Sequence, residues 1–114
     1  MARYRGLTLR ILGGRAPAMG PGKAELIERI AQTGSISAAA RAMRMSYRRA
    51  WQLVEALNKD YRQPVVSTAI GGTRGGGARV TPFGKRLVAD FRAMEEKASA
   101  AIAADLRRFR RYIP

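Results

Sequence analysis

Three polar side chains near the middle of the chain have the types and spacing needed to contact base edges in double-stranded DNA. Arg48, Arg49 and Gln52 fall in the first two turns of a predicted helix. Arginine can donate two hydrogen bonds to guanine O6 and N7, and glutamine can pair in the same way with adenine N6 and N7. Two interpretations follow: a base-reading surface, or a solvated amphipathic helix that the arginines merely keep soluble.

The helix that carries these side chains is the second of two predicted in the segment 34–58, GSISAAARAMRMSYRRAWQLVEALN. Ser35 or Ser37 can cap the first helix and Ser46 the second, because a serine hydroxyl accepts a hydrogen bond from an unpaired backbone N–H. One face of the second helix is predicted to be buried: Ala50, Val54, Leu57 and Tyr61. The opposite face is polar: Arg48, Arg49, Gln52, Glu55 and Lys59. This pattern predicts a helix-turn-helix.

Two aromatic residues flank the polar face. Trp51 lies at the edge of the predicted buried face, and we expect it to pack in the core. Tyr47 lies between the two faces, so its ring can pack partly in the core while its hydroxyl donates to a phosphate.

Before this segment, alternating apolar residues predict a strand over residues 4–12, and six Gly or Pro in the next ten residues predict a loop. Pro21 favours the start of a helix, and residues 23–32 have the spacing of an amphipathic helix. Gly34 can end that helix in the left-handed conformation. After it, residues 65–70 and 78–81 predict a hairpin around a glycine-rich tip, in the position of a wing. The bare glycine backbone and Arg74 or Arg79 are its candidate contacts to phosphates or the minor groove, and a flexible tip without such a role is the alternative.

Thr81 and Pro82 predict the start of a last helix that can reach Phe109, roughly 40 Å at 1.5 Å per residue. We predict one domain over residues 1–114, with the strand, three helices and wing in 1–81 and a linker or dimerisation helix in 82–110. An apolar stripe on this helix predicts a homodimer contact, whereas a frayed terminal helix is the alternative. The stripe comprises Leu87, Phe91, Met94, Ile102, Leu106 and Phe109. Lys85 and Arg86 are either solvated or close enough to the wing to contact a phosphate.

Composition narrows the class of partner. Lys and Arg total 22 against 8 Asp and Glu, a formal charge of +14, which favours a polyanion such as nucleic acid. An anionic membrane fits less well, because no predicted helix pairs a basic face with a wide apolar one. The chain lacks histidine and cysteine, so we expect neither an enzyme nor a metal site, cofactor or disulfide. We expect a cytoplasmic protein located at the nucleoid.

The segments GSISAAARAMRMSYRRAWQLVEALN and VVSTAIGGTRGGGARVTPFGKRLV resemble the N-terminal DNA-binding domain of ModE-type molybdate-responsive transcription regulators. More distantly, they are similar to the winged helix-turn-helix of LysR-type regulators. The resemblance implies a winged helix-turn-helix that dimerises through its C-terminal helix. It places Ser46, Tyr47, Arg48, Arg49 and Gln52 on the DNA-reading segment, and Thr73, Arg74 and Arg79 on the wing. The family's molybdate-binding domain has no counterpart before Pro114, so molybdate is not assigned and the effector is left open.

The sequence thus predicts a mainly α fold with a small β-hairpin: a winged helix-turn-helix with a long C-terminal helix. The predicted function is a sequence-specific, DNA-binding transcription regulator, a dimer that reads an inverted repeat through the helix starting at Ser46 and through the wing. Two alternatives stay open: a non-specific nucleoid-associated DNA binder, and a helical protein–protein adaptor.

Overall fold

Helices dominate the computed structural model, which describes residues 6–14, 16–68 and 77–114. The strands are β1 (Ile11–Gly13), β2 (Ala16–Met19), β3 (Val66–Thr68) and β4 (Ala78–Val80). The helices are α1 (Pro21–Thr33), α2 (Ile36–Ala42), α3 (Tyr47–Asp60), α4 (Pro82–Ala101) and α5 (Ala103–Phe109). A single turn of 3-10 helix, Arg110–Tyr112, follows α5. This architecture confirms the predicted fold class.

The N-terminal part differs from the prediction. The strand expected over residues 4–12 is short, and β1 pairs antiparallel with β2, which lies in the segment predicted to be a loop. Gly14 has a φ of 78°, the left-handed conformation that a tight hairpin turn requires. The Gly- and Pro-rich segment that was predicted to be a loop therefore contains the turn and the second strand of a β1–β2 hairpin.

The ends of the first three helices follow local capping rules. Gly34 ends α1 with a φ of 70°, and its N–H donates to the Ile30 carbonyl at 2.7 Å. Ser35, rather than Ser37, caps α2 by accepting a hydrogen bond from the Ala38 N–H at 3.0 Å. Ser46 caps α3 in the same way through the Arg49 N–H, also at 3.0 Å. The predicted helix-turn-helix is therefore present.

The core lies between α1, α2, α3 and the first half of α4. Its largest fully buried side chains are Phe91, Leu26, Ile27, Ile30, Leu57, Val54, Val65 and Val66. Ala39, Ala40 and Ala50 are also buried, so α2 and α3 approach closely, because a methyl group fills little space between two helices. This close approach fixes the orientation of α3.

A short hairpin, β3–β4, joins α3 to α4, with Val66 opposite Val80 and Ser67 opposite Arg79. Thr81 fastens its base: the Thr81 N–H donates to the Val65 carbonyl at 3.0 Å, and the hydroxyl donates to the Pro64 carbonyl at 2.7 Å. The same hydroxyl accepts the Gly84 N–H at 2.9 Å and so caps α4. One threonine thus links the hairpin to the last helices.

The predicted single C-terminal helix is interrupted at Ile102, which corrects the expectation of one helix reaching Phe109. Ile102 has φ −109° and ψ 12°, far from helical values, and it separates α4 from α5. The sequence has neither glycine nor proline at this point, and the apolar spacing continues across it. Periodicity therefore gives no sign of the interruption.

Gly84→Ala should destabilise the fold by about 2 kcal/mol, because the structure has no space for a side chain there. A Cβ at Gly84 would lie 2.5 Å from the Val65 carbonyl oxygen and 2.9 Å from Val80 Cγ1. Urea unfolding monitored by circular dichroism measures the change. The matched control is Gly22→Ala in α1, where a Cβ would meet nothing within 4 Å. In the control, the free energy of unfolding should stay the same or increase by up to about 1 kcal/mol. An equal change in the free energy of unfolding of the two variants would contradict the packing described for Gly84.

Candidate nucleic-acid interface

The exposed face of α3 is the candidate surface. Its side chains are Arg48, Arg49, Gln52, Glu55 and Lys59, all exposed. The opposite face is in the core: Ala50 and Leu57 are fully buried and Val54 nearly so. The orientation predicted from helical spacing is therefore confirmed for these residues, whereas Tyr61, predicted on the same buried face, directly follows the end of α3 and is half-buried.

The start of α3 is the most basic part of this face. Its first turn contains no acidic residue, and Glu55 comes only later in the helix. Neither Arg48 nor Arg49 forms an ion pair with any carboxylate in the described part of the chain. The unsatisfied N–H groups and the helix dipole add positive potential at the same end. Both guanidinium groups are thus available to an external anion or base edge.

Tyr47 and Trp51 lie one helical turn apart and stack on each other. Their ring centroids are 6.4 Å apart and their planes differ by 12°. Trp51 is half-buried and packs against the core, in agreement with the expected core position, whereas Tyr47 is exposed. Tyr47 therefore belongs to the outer surface more than the sequence suggested.

The described residues of the wing are those at its base. Arg79 lies in β4 with its side chain exposed, on the strand face opposite the buried Ala78 and Val80. Thr73 and Arg74, the other two predicted wing contacts, lie outside the described residues. Lys85 and Arg86, in the first turn of α4, are exposed. The base of the wing thus presents a cation at the surface.

Asn58, which was not among the residues predicted to be important, connects α3 to the wing. Its side-chain oxygen accepts hydrogen bonds from the N–H groups of Val65 at 2.8 Å and Val66 at 3.1 Å. Its side-chain nitrogen donates to the Val66 carbonyl at 2.9 Å. An amide suits this position because it donates and accepts at once. Asn58 therefore fixes the start of β3 relative to the candidate recognition helix.

The end of α3 is also attached to the N-terminal hairpin. The Tyr61 hydroxyl donates to the Ala18 carbonyl at 2.8 Å, and the Tyr61 ring meets Phe83 edge to face. Burial raises the pKa of the Tyr61 hydroxyl above its ordinary value, and the negative charge of Asp60 raises it further. The hydroxyl therefore stays protonated and keeps its donor role at neutral pH.

Arg92 is a basic residue that stabilises the packing of α4 on α1. It donates to both carboxylate oxygens of Glu28, at 2.7 and 3.1 Å, and to Glu95 at 2.7 Å. Its hydrogen bonds to Glu28, followed by those to Glu95, raise the pKa of the Arg92 guanidinium above its ordinary value, against an opposing effect of burial. This pairing joins α4 to α1, so Arg92 is not a candidate for binding DNA.

The residues predicted for dimerisation divide into two groups. Phe91 is 1% exposed and belongs to the core of its own chain, and Leu87 is half-buried against that core. Phe91 therefore cannot make the expected contact with a second chain, because its ring is already covered. Met94 and Phe109 are 41% and 58% exposed, and Ile102 and Leu106 are half-buried. The uncovered part of the stripe thus begins at Met94.

The described residues contain no group of three or more potential metal ligands. None of the helices in the described ranges is both long and apolar enough to cross a membrane.

Comparison with known proteins relates this geometry to a family. Residues 22–85, from α1 to the first turn of α4, match the family of bacterial regulatory helix-turn-helix proteins of the lysR type. The chain belongs to this family. The matched region includes the whole of α3 and the hairpin beside it, which are the elements of the candidate surface.

Individual relatives agree with the assignment. The chain is 46% identical over 91 residues to the molybdenum-pterin-binding protein MopB of Rhodobacter capsulatus, covering 80% of this chain and 33% of MopB. It is 35% identical over 85 residues to the molybdenum transport protein ModE of Azotobacter vinelandii, covering 75% of this chain and 32% of ModE. The resemblance to ModE-type regulators is thereby confirmed. The match spans about a third of each relative.

A solved structure shows the same fold. ArgP from Mycobacterium tuberculosis superimposes with a TM-score of 0.51 at 26% sequence identity, covering 75% of this chain and 31% of ArgP. The fold of this chain is therefore shared with ArgP over three quarters of its length.

Asn58→Ala should destabilise the fold by about 2 kcal/mol, because the N–H groups of Val65 and Val66 lose their acceptor. Thermal or urea unfolding measures the loss. Lys59→Ala, at the exposed next position of the same helix, is the control and should change the free energy of unfolding by less than about 0.5 kcal/mol. If both variants unfold at the same denaturant concentration as the parent chain, Asn58 does not hold the hairpin.

Proposed function

We propose that this protein is a transcription regulator that binds double-stranded DNA as a homodimer and reads an inverted repeat through α3 and the wing. The observation that carries the proposal is the exposed start of α3, where Arg48, Arg49 and Gln52 lie opposite a fully buried face. A recognition helix contacts base edges with its N-terminal residues, and these residue types can form paired hydrogen bonds to guanine and adenine.

Charge supports the same partner. The chain carries a formal charge of +14, and positive charge of this size attracts DNA from a distance and increases the rate of encounter. Arg79 is exposed in β4 at the base of the wing; β4 pairs with β3, and Asn58 links the start of β3 to α3. In the proposed complex Arg79 binds phosphate, together with Thr73 and Arg74. A protein with this role is expected at the nucleoid.

The proposed dimer uses the uncovered stripe that begins at Met94. A two-fold dimer would bury Met94, Ile102, Leu106 and Phe109, for which the described part of the same chain supplies only partial cover. Two-fold symmetry also places two recognition helices at half-sites about one helical turn apart. The proposal includes no effector, and it does not assign molybdate as a ligand.

Selection of bound fragments from a random DNA pool, followed by competition with random DNA, tests the function. A specific regulator should yield an inverted repeat and prefer it by roughly 10³-fold or more. Salt dependence alone does not discriminate, because neutralising about six phosphates gives a log–log slope near −5 for specific and non-specific binding alike. An enriched pool without a motif would favour the nucleoid-associated alternative. No DNA binding at physiological salt would favour the adaptor alternative.

Single substitutions provide the controls for this experiment. Arg49→Ala or Gln52→Ala should relax the preference at one base position, with a loss of about 1–3 kcal/mol. Arg74→Ala in the wing should weaken binding to all sequences alike, because phosphate contacts carry no base information. If all three variants lower the affinity uniformly across sequences, α3 does not read the bases.

Met94→Lys should weaken dimerisation at least tenfold, because it places a charge in the proposed apolar contact. The control is Ala93→Lys, an exposed position about 100° away around α4 and on the far side from the stripe. Sedimentation equilibrium of both variants measures the dissociation constant of the dimer. A Met94→Lys variant that dimerises as tightly as the control would show that the stripe is not the interface.

A further inference from the structure

Tyr47 is an exposed aromatic residue at the edge of the polar face of α3. It is 55% exposed, at the first position of α3 and directly before Arg48 and Arg49. The other large exposed hydrophobic side chains of the described residues lie in the N-terminal hairpin or beyond the middle of α4: Leu12, Met94, Phe109, Tyr112 and Ile113. An exposed aromatic ring at the start of a recognition helix needs a role that the arginines do not fill.

The ring of Tyr47 is held in one orientation by Trp51. The two rings are nearly parallel, at 12°, with centroids 6.4 Å apart, and Trp51 is itself packed against the core. The Tyr47 ring therefore stacks beside a side chain that packs on the core, while 55% of Tyr47 stays exposed. A ring fixed before binding loses little conformational entropy when it docks, so its contact contributes more to affinity.

The major groove offers one apolar group to such a ring. Guanine, cytosine and adenine present hydrogen-bond donors and acceptors there, whereas thymine also presents its C5-methyl group. An apolar ring face gains nothing from a polar base edge, but it removes a methyl group from water. The first turn of the recognition helix is the part that lies close enough to the bases for this contact.

We infer that the Tyr47 ring packs on the 5-methyl group of one thymine in each half-site, and that Trp51 is a positioning residue that holds the ring there. This inference rests on the proposed function and adds the chemical class of base that α3 selects. It differs from a phosphate contact by the Tyr47 hydroxyl, which would contribute affinity but no sequence preference.

Deoxyuridine substitution tests the inference, because uracil differs from thymine only by lacking the methyl group. Each thymine of the selected site is replaced in turn, and binding is measured by fluorescence anisotropy. The parent chain should lose affinity about fourfold at one thymine per half-site, the effect expected for one buried methyl group. Tyr47→Phe should keep this ratio, whereas Tyr47→Ala should bind the thymine and uracil sites equally well.

The role of Trp51 is tested with the same ratio rather than with total affinity. Trp51→Leu should reduce the thymine-to-uracil ratio toward one, and Trp51→Phe should restore it, because a phenyl ring can still stack on Tyr47. Circular dichroism checks that each variant keeps its helices. If Trp51→Leu does not fold, the Tyr47→Phe and Tyr47→Ala pair still decides the inference, since Tyr47 is exposed.

Three outcomes would overturn the inference while the proposed function stands. The uridine scan could be flat for the parent chain, the ratio could survive in Tyr47→Ala, or Tyr47→Phe could lose it as completely as Tyr47→Ala. The last outcome would assign the preference to the hydroxyl. Failure of the proposed function looks different, because selection would then yield no preferred site on which to place uridine.

Discussion

Burial of one face of α3 is the constraint on which the candidate interface depends. Ala50, Val54 and Leu57 are enclosed by the core, so the rotation of the helix about its axis is fixed. With 3.6 residues per turn, that rotation leaves Arg48, Arg49 and Gln52 on the outside. The small side chains of α2 allow this contact to be close. A rotation of α3 by about 100°, one residue step, would move side chains of the candidate surface toward the core.

A second requirement is that the wing keeps its place beside α3. Asn58 holds the start of β3 through three hydrogen bonds, and Thr81 holds the base of the hairpin while capping α4. Gly84 allows the first turn of α4 to lie against the Val65 carbonyl. Together, the contacts of Asn58, Thr81 and Gly84 orient α3, the β3–β4 hairpin and α4 relative to one another. In the proposed complex these contacts would hold the base of the wing, which carries Arg79, in a fixed position relative to α3.

The charges of the chain separate into internal and external sets. Arg92 is held by Glu28 and Glu95 in a partly buried cluster, whereas the pair of Arg108 with Asp105 is exposed to solvent. Within the described residues, Arg48 and Arg49 have no such carboxylate partner. Leaving like charges together in a protein of net charge +14 costs self-repulsion, which a polyanion would relieve. The proposed contact with DNA would therefore also reduce the repulsion between positive charges in the free protein.

The sequence by itself determined what depends on neighbours within one turn. The caps Ser46, Gly34 and Thr81, and the two faces of α3, follow from hydrogen bonds and spacing over three or four residues. Tertiary packing decided the rest. The break at Ile102, the covered Phe91 and the three hydrogen bonds of Asn58 depend on partners distant in sequence or on geometry that apolar periodicity does not encode. The polar face was thus predictable, because helical geometry relates it to the buried one, whereas the Tyr47–Trp51 stack depends on side-chain orientations that helical spacing leaves open.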